Sequence, residues 1–169
     1  DIMRRRGLFA SLDIHNNTGL NPHYGCVNHL DNHTLHLATL FSRTLVYFLR
    51  PKGVQAMAMG EICPAVTLEC GKVGDKHGAD HARDFIEACL RLSALPDHPV
   101  APHDIALFHP VARVEVPEAL SFAFPPGRGD ILLSAELEGF NFRELPPGTP
   151  LGLVNRGTEI CLDVRDENG

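Results

Sequence analysis

Three prolines fall within the seven residues Pro96-Asp-His-Pro-Val-Ala-Pro102, and this stretch constrains the fold more than any other feature of the chain. Proline lacks the backbone N–H, fixes φ and pushes the preceding residue out of the helical region, so a cluster this dense fits neither a helix interior nor a central strand. The apolar patterning differs on its two sides. Upstream, continuous apolar runs alternate with segments of helical spacing; downstream, short runs alternate apolar and polar residues between proline-glycine turns. We therefore expect an α/β domain over residues 1–97 and a C-terminal β domain over residues 98–169.

In the first part, Gly7-Leu-Phe-Ala-Ser-Leu-Asp-Ile-His15 is apolar with no helical period, as in a strand covered on both faces by crossover helices. The following Asn16-Asn-Thr-Gly-Leu-Asn-Pro-His-Tyr-Gly25 is dense in Asn, Gly and Pro and reads as a loop. From Asp31 or Asn32 as N-cap, Leu37, Leu40, Phe41 and Leu45 recur at helical spacing. Leu45-Val-Tyr-Phe-Leu49 reads as a second strand, Pro64-Ala-Val-Thr-Leu-Glu69 as a third, and residues 80–95 as a helix facing inward through Ala82, Phe85, Ile86, Cys89 and Leu90. The resulting βαβα order predicts a mostly parallel sheet. In the second part, Val111-Ala-Arg-Val-Glu-Val116, Ser121-Phe-Ala-Phe124 and Ile131-Leu-Leu-Ser-Ala135 read as short strands, with turns at Pro125-Pro-Gly and Pro146-Pro-Gly.

Composition narrows the class of function. A chain of 169 residues, 44% hydrophobic and 21% charged, can bury a substantial core. Its net charge is −6 and its dense cationic run is Arg4-Arg5-Arg6, which argues against nucleic acid as a partner. No apolar run approaches the roughly 20 residues that span a bilayer, and no small-residue cleavage site follows the N-terminus. The expectation is a cytoplasmic chain acting on a small molecule, with no membrane partner and with homo-oligomerisation left open. Five cysteines, Cys26, Cys63, Cys70, Cys89 and Cys161, contain no Cys-x-x-Cys pair and read as reduced thiols.

Chemistry concentrates in two segments, Asp13-Ile-His15-Asn16 and Thr67-Leu-Glu69-Cys-Gly71, each placing a titratable side chain at the carboxyl end of an apolar strand. Ligands of open α/β sheets gather beyond those strand ends, so His15 and Glu69 can meet in one site. Asp13, two residues before His15, points to the same side of the strand and either orients the imidazole or serves the strand itself.

These segments, in this order, resemble the succinylglutamate desuccinylase and aspartoacylase family, which has the zinc carboxypeptidase-like fold. Asp13-Ile-His15-Asn16-Asn17-Thr18 is similar to that family's Asp-Leu-His-Asn-Thr-Thr segment, and Ala65-Val-Thr-Leu-Glu69-Cys-Gly71 to its Gly-Ile-Glu-Val-Gly segment. Ala135-Glu-Leu-Glu-Gly-Phe-Asn-Phe-Arg-Glu-Leu-Pro-Pro-Gly148-Thr-Pro150 resembles its C-terminal domain signature. The resemblance spans residues 8–152. It implies a mixed sheet with flanking helices followed by a small β domain, and a zinc-dependent hydrolase of a small N-acyl amino acid or related amide. It also implies His15 as the last of three zinc ligands and Glu69 as acid/base. Such a zinc site takes three protein ligands and a water.

The family's first two ligands come from an earlier His-x-x-Glu segment, and residues 1–14 contain no histidine. The resemblance thus implies that residues 1–97 are a partial catalytic domain and residues 98–169 an incomplete β domain: either the other ligands lie outside this sequence, which is the expectation, with the chain alone binding zinc weakly, or the chain is a metal-free remnant. Asn16, Asn17, Arg50 and Lys52 are candidates for substrate binding, but no arginine occupies Gln55-Ala-Met-Ala-Met-Gly60, where the family holds substrate carboxylates. Met57 and Met59 there suggest a less charged pocket. A rival metal site would use His29, His33 and His36, with His23 just upstream. Two other classes compete with the zinc hydrolase: a non-catalytic relative that binds a small ligand or partner protein, and a cysteine hydrolase built on Cys70.

Overall fold

The computed structural model describes residues 2–155, 157 and 162–166. The chain is mixed α/β, and two compact units divide it, Asp1–Pro110 and Val111–Gly169. The first contains helix α1 (Ile2–Arg6), strands β1 (Ser11–Asn17) and β2 (Tyr24–Val27), helix α2 (Asn32–Thr39) and strand β3 (Thr44–Tyr47). Helix α3 (Gln55–Gly60), strand β4 (Ala65–Lys72), helix α4 (Lys76–Leu90) and strand β5 (Ala106–Phe108) follow. Their sheet has the order β1-β4-β2-β3-β5. It is mixed: β2 runs antiparallel to β4, while β1 with β4, β2 with β3 and β3 with β5 are parallel.

Strand β4 shows how the sequence builds this layer. Its alternate residues Val66, Leu68 and Cys70 are buried and join Val27, Leu45, Leu37, Ala38, Ala82 and Phe85 in the core. That core lies between one face of the sheet and helices α2 and α4, and each fully buried Leu or Val contributes about 1.5–3 kcal/mol. The intervening residues Thr67 and Glu69 belong to the other face. Asp31 caps helix α2, as expected, its carboxylate accepting from Thr34 N at 3.0 Å, but the helix ends at Thr39, so of the residues read at helical spacing Leu37 lies in it, Leu40 and Phe41 follow it and Leu45 belongs to β3. Helix α4 starts at residue 76 behind an Asp75 cap. It approaches β4 so closely that a Cβ on Gly78 would lie 2.2 Å from the Cys70 carbonyl oxygen, a distance only glycine allows.

Several expectations are corrected. Residues 2–6 are helical and β1 begins only at Ser11, so the first strand is shorter at its start and longer at its end than residues 7–15. Nor is it covered on both faces, since Ile14, His15 and Asn16 are exposed. The stretch 16–25 holds the end of β1 and the start of β2, a strand hidden by its Asn, Pro and Gly neighbours. In the helix read over residues 80–95, Ile86 and Leu90 are exposed, at 38% and 80%, while Ala82 and Phe85 are buried. The division into units falls after Pro110 and not at residues 97–98. Beyond the prolines, β5 pairs with β3, and Ala106 N donates to the Arg43 carbonyl at 2.7 Å, which keeps this segment with the first unit.

In the second unit, β6 (Ala112–Glu115) pairs antiparallel with β10 (Asp163–Asp166). β7 (Phe122–Ala123), β8 (Ile131–Leu133) and β9 (Gly152–Val154) form a three-stranded sheet. Ile131 is its buried hydrophobic residue among those described. The Pro146-Pro-Gly148 turn forms as expected, closed by Thr149 N donating to the Pro146 carbonyl at 3.1 Å. Among the described residues, no helix is long and apolar enough to cross a membrane.

Candidate functional site

Strands β1 and β4 run side by side with His15 opposite Glu69 and Asp13 opposite Thr67. The two sequence-predicted residues are thus direct neighbours at the carboxyl ends of adjacent parallel strands. His15 is half exposed, with its side chain 51% accessible, and its Nε2 lies 2.9 Å from Asp13 Oδ1. Asp13 holds one ring nitrogen, the arrangement in which a carboxylate orients a metal-binding imidazole.

Glu69 is only partly exposed. Burial pushes its carboxyl above the usual range; His15 and the Asn17 amide pull it back, and Asp13 adds to the rise. The Asn17 amide lies beside the carboxylate but stops short of a hydrogen bond of normal geometry. Glu69 Oε2, Asn17 Oδ1 and Asn17 Nδ2 are all buried without a hydrogen-bond partner. The fourth such atom among the described residues is Asn28 Oδ1, beyond the far end of β2. Buried polar atoms left unpaired cost about 1–3 kcal/mol each, so Glu69 and Asn17 form a polar spot at this strand end that their own packing leaves incompletely satisfied.

The remaining candidates divide. The pairing slips between His15 and Asn17, and there the Asn16 amide donates to the Gly71 carbonyl at 3.5 Å, so both asparagines border the Glu69 strand end. Arg50 and Lys52 do not join them. β3 is parallel to β2 and therefore leaves the sheet at its opposite end, where both cations are exposed. Residues 55–60, read as a pocket loop, form helix α3, which packs against the starts of β1 and β4 with Gln55 reaching Ser11 Oγ at 3.4 Å.

The rival histidines face different neighbours. His36 Nε2 meets the His98 carbonyl at 2.8 Å, His33 Nε2 lies 3.9 Å from Asp97, and His29 stands against Gly60. Among the described residues no three His, Cys, Asp or Glu side chains form a group able to hold a metal. Cys26, Cys63, Cys70 and Cys89 are free thiols, and Cys161 lies outside the described residues. Cys70 is buried, and burial together with the Glu69 charge pushes its thiol up, the reverse of what activates a nucleophile.

Two features escaped sequence reading. Tyr24, the first residue of β2, pairs in register with Glu69. His23 and His81 share a hydrogen bond, Nδ1 to Nδ1 at 2.7 Å, with the His81 ring stacked on Phe41 at 4.2 Å. Asp75 lies 3.9 Å from His23 Nε2. Both depend on β2 being a strand, and His-Tyr-Gly inside an Asn/Pro loop carries no strand signal. Comparison with protein-family models, curated proteins and solved structures finds no match to this chain.

Proposed function

We propose that this chain carries part of the active site of a zinc-dependent hydrolase that cleaves a small N-acyl amino acid or related amide. We also propose that it belongs with the succinylglutamate desuccinylase and aspartoacylase family and its zinc carboxypeptidase-like fold. The observation that carries this reading is Glu69: a carboxylate with a raised pKa and an unpaired buried oxygen, directly beside a carboxylate-oriented imidazole at a strand end.

The donors present fit zinc as far as they go. His15 would hold the ion through Nδ1, Asp13 keeps the ring in place, and the remaining ligands would come from a His-x-x-Glu segment outside this sequence. When bound, zinc supplies the Lewis acidity that makes a water nucleophilic near neutral pH. Glu69 takes the proton of the attacking water and returns it to the leaving amine. The burial that raises its pKa favours the second half of that cycle, in which the carboxylic acid is the donor. Asn16 and Asn17 border the reacting group.

The test is Glu69→Gln in the whole protein at matched zinc content. Turnover of N-acetyl amino acids is expected to fall on the order of 10²-fold or more, with zinc content and fold unchanged. His15→Ala is expected to lose zinc instead. Equal turnover in the Glu69→Gln protein would overturn the assignment and leave the non-catalytic relative as the better reading.

A further inference from the structure

The sheet carries a third chemical group in the same row. β2 runs antiparallel to β4, so its first residue arrives at the sheet end where β1 and β4 finish. Tyr24 pairs with Glu69 on one side, and His15 pairs with Glu69 on the other. Residues directly opposite across strands share a face, with Cβ atoms about 4.5–5.5 Å apart. Imidazole, carboxylate and phenol therefore stand side by side on three adjacent strands, on the face turned away from α2 and α4.

We propose that Tyr24 is a catalytic residue of this site, a neutral phenol that donates a hydrogen bond to the oxygen of the substrate's scissile carbonyl as it gains negative charge. This rests on the hydrolase reading above. Three observations support it. Tyr24 is half-buried, so its phenol acts where water competes poorly. Burial, then the charges of Cys26 and Glu69, push its ionisation up to about 12, which keeps the proton on the oxygen at any working pH. Its neighbour Cys26 is likewise pushed up to about 12, by burial and then by Glu69, so the same surroundings act on both side chains. The division of labour follows from charge: Glu69, an acceptor when ionised, takes the water's proton, and Tyr24, a donor, faces the oxygen that becomes anionic.

The experiment pairs turnover with a readout independent of zinc. In the whole protein, Tyr24→Phe is expected to lower kcat for N-acetyl amino acids about 10²-fold, with KM and zinc content little changed. The chain has two tyrosines and no tryptophan, so phenolate formation can be followed cleanly by ultraviolet difference titration wherever the rest of the protein adds none. Tyr24→Phe should delete the late step, and Glu69→Gln should move it to lower pH, because the carboxylate's charge has been removed from beside it. Turnover within about threefold of the parent in Tyr24→Phe, or a late step that ignores Glu69→Gln, overturns the proposal. If Glu69→Gln is inactive while Tyr24→Phe is not, only the role of Tyr24 falls. If the parent protein turns over no amide, the hydrolase reading falls and takes this one with it.

Discussion

At the scale of single residues, the site holds an energetic tension that can be measured without a substrate. Folding raises the Glu69 pKa through burial. For such a group the favourable contribution exists below the unfolded value, about 4.3, and is lost as pH rises through the folded value. At neutral pH the ionised carboxylate therefore opposes folding. Glu69→Gln is expected to raise the melting temperature of the metal-free protein at pH 7, by about 2–4 °C for each kcal/mol recovered, and to lose that advantage below the carboxylate range. Calorimetry of the two proteins across pH checks this, and a lower melting temperature for the variant at neutral pH refutes it. His15, Asp13 and Glu69 were legible because a polar residue closing an apolar strand is visible in the chain itself. Tyr24 was not, since its place beside Glu69 depends on register with a strand 45 positions away, as the pairing Tyr24 to Glu69 shows.

At the scale of elements, the bond between His23 and His81 ties the entry to β2 onto helix α4. One ring must donate and the other accept, so the pair holds one shared proton and has no room for a second. Burial and the His23 charge lower the pKa of His81, while the Phe41 backbone and Asp84 oppose the shift. The folded value lies below the unfolded one, so this contribution is complete above about pH 6.5 and disappears as pH falls through the folded value. Thermal stability is expected to decline between about pH 7 and about pH 5, and His81→Phe, which keeps a ring against Phe41, should flatten part of that decline. A variant with the parent's pH dependence would show that the pair does not govern it. The start of α2 was readable from its Asp31 cap, although the apolar spacing ran on past its end at Thr39, whereas α3 was missed because six residues containing two methionines carry too little periodicity to separate a helix from a pocket wall.

At the scale of the whole molecule, the prolines misplaced the boundary between the two parts. They mark where regular pairing pauses, but the chain then returns to the sheet as β5, and the His98 and His103 carbonyls accept from His36 and Arg43. Limited proteolysis should accordingly cut first beyond Phe108, near the junction of Pro110 and Val111, and spare residues 96–102; mass spectrometry of the fragments distinguishes the two. The α/β character and strands β6, β7 and β8 were legible from periodicity, while the short β9 and β10 did not stand out and β2 was hidden among the Asn, Pro and Gly residues of a stretch read as a loop. The strand at the centre of the site carries its own genetic signature. Val66 and Leu68 answer to packing, where truncation to Ala costs about 2–5 kcal/mol, whereas Thr67 and Glu69 between them face the row of polar groups. Under the proposed hydrolase function, a saturation screen that scores cellular abundance and turnover separately should therefore beat with a period of two along β4, abundance failing at one position and activity at the next.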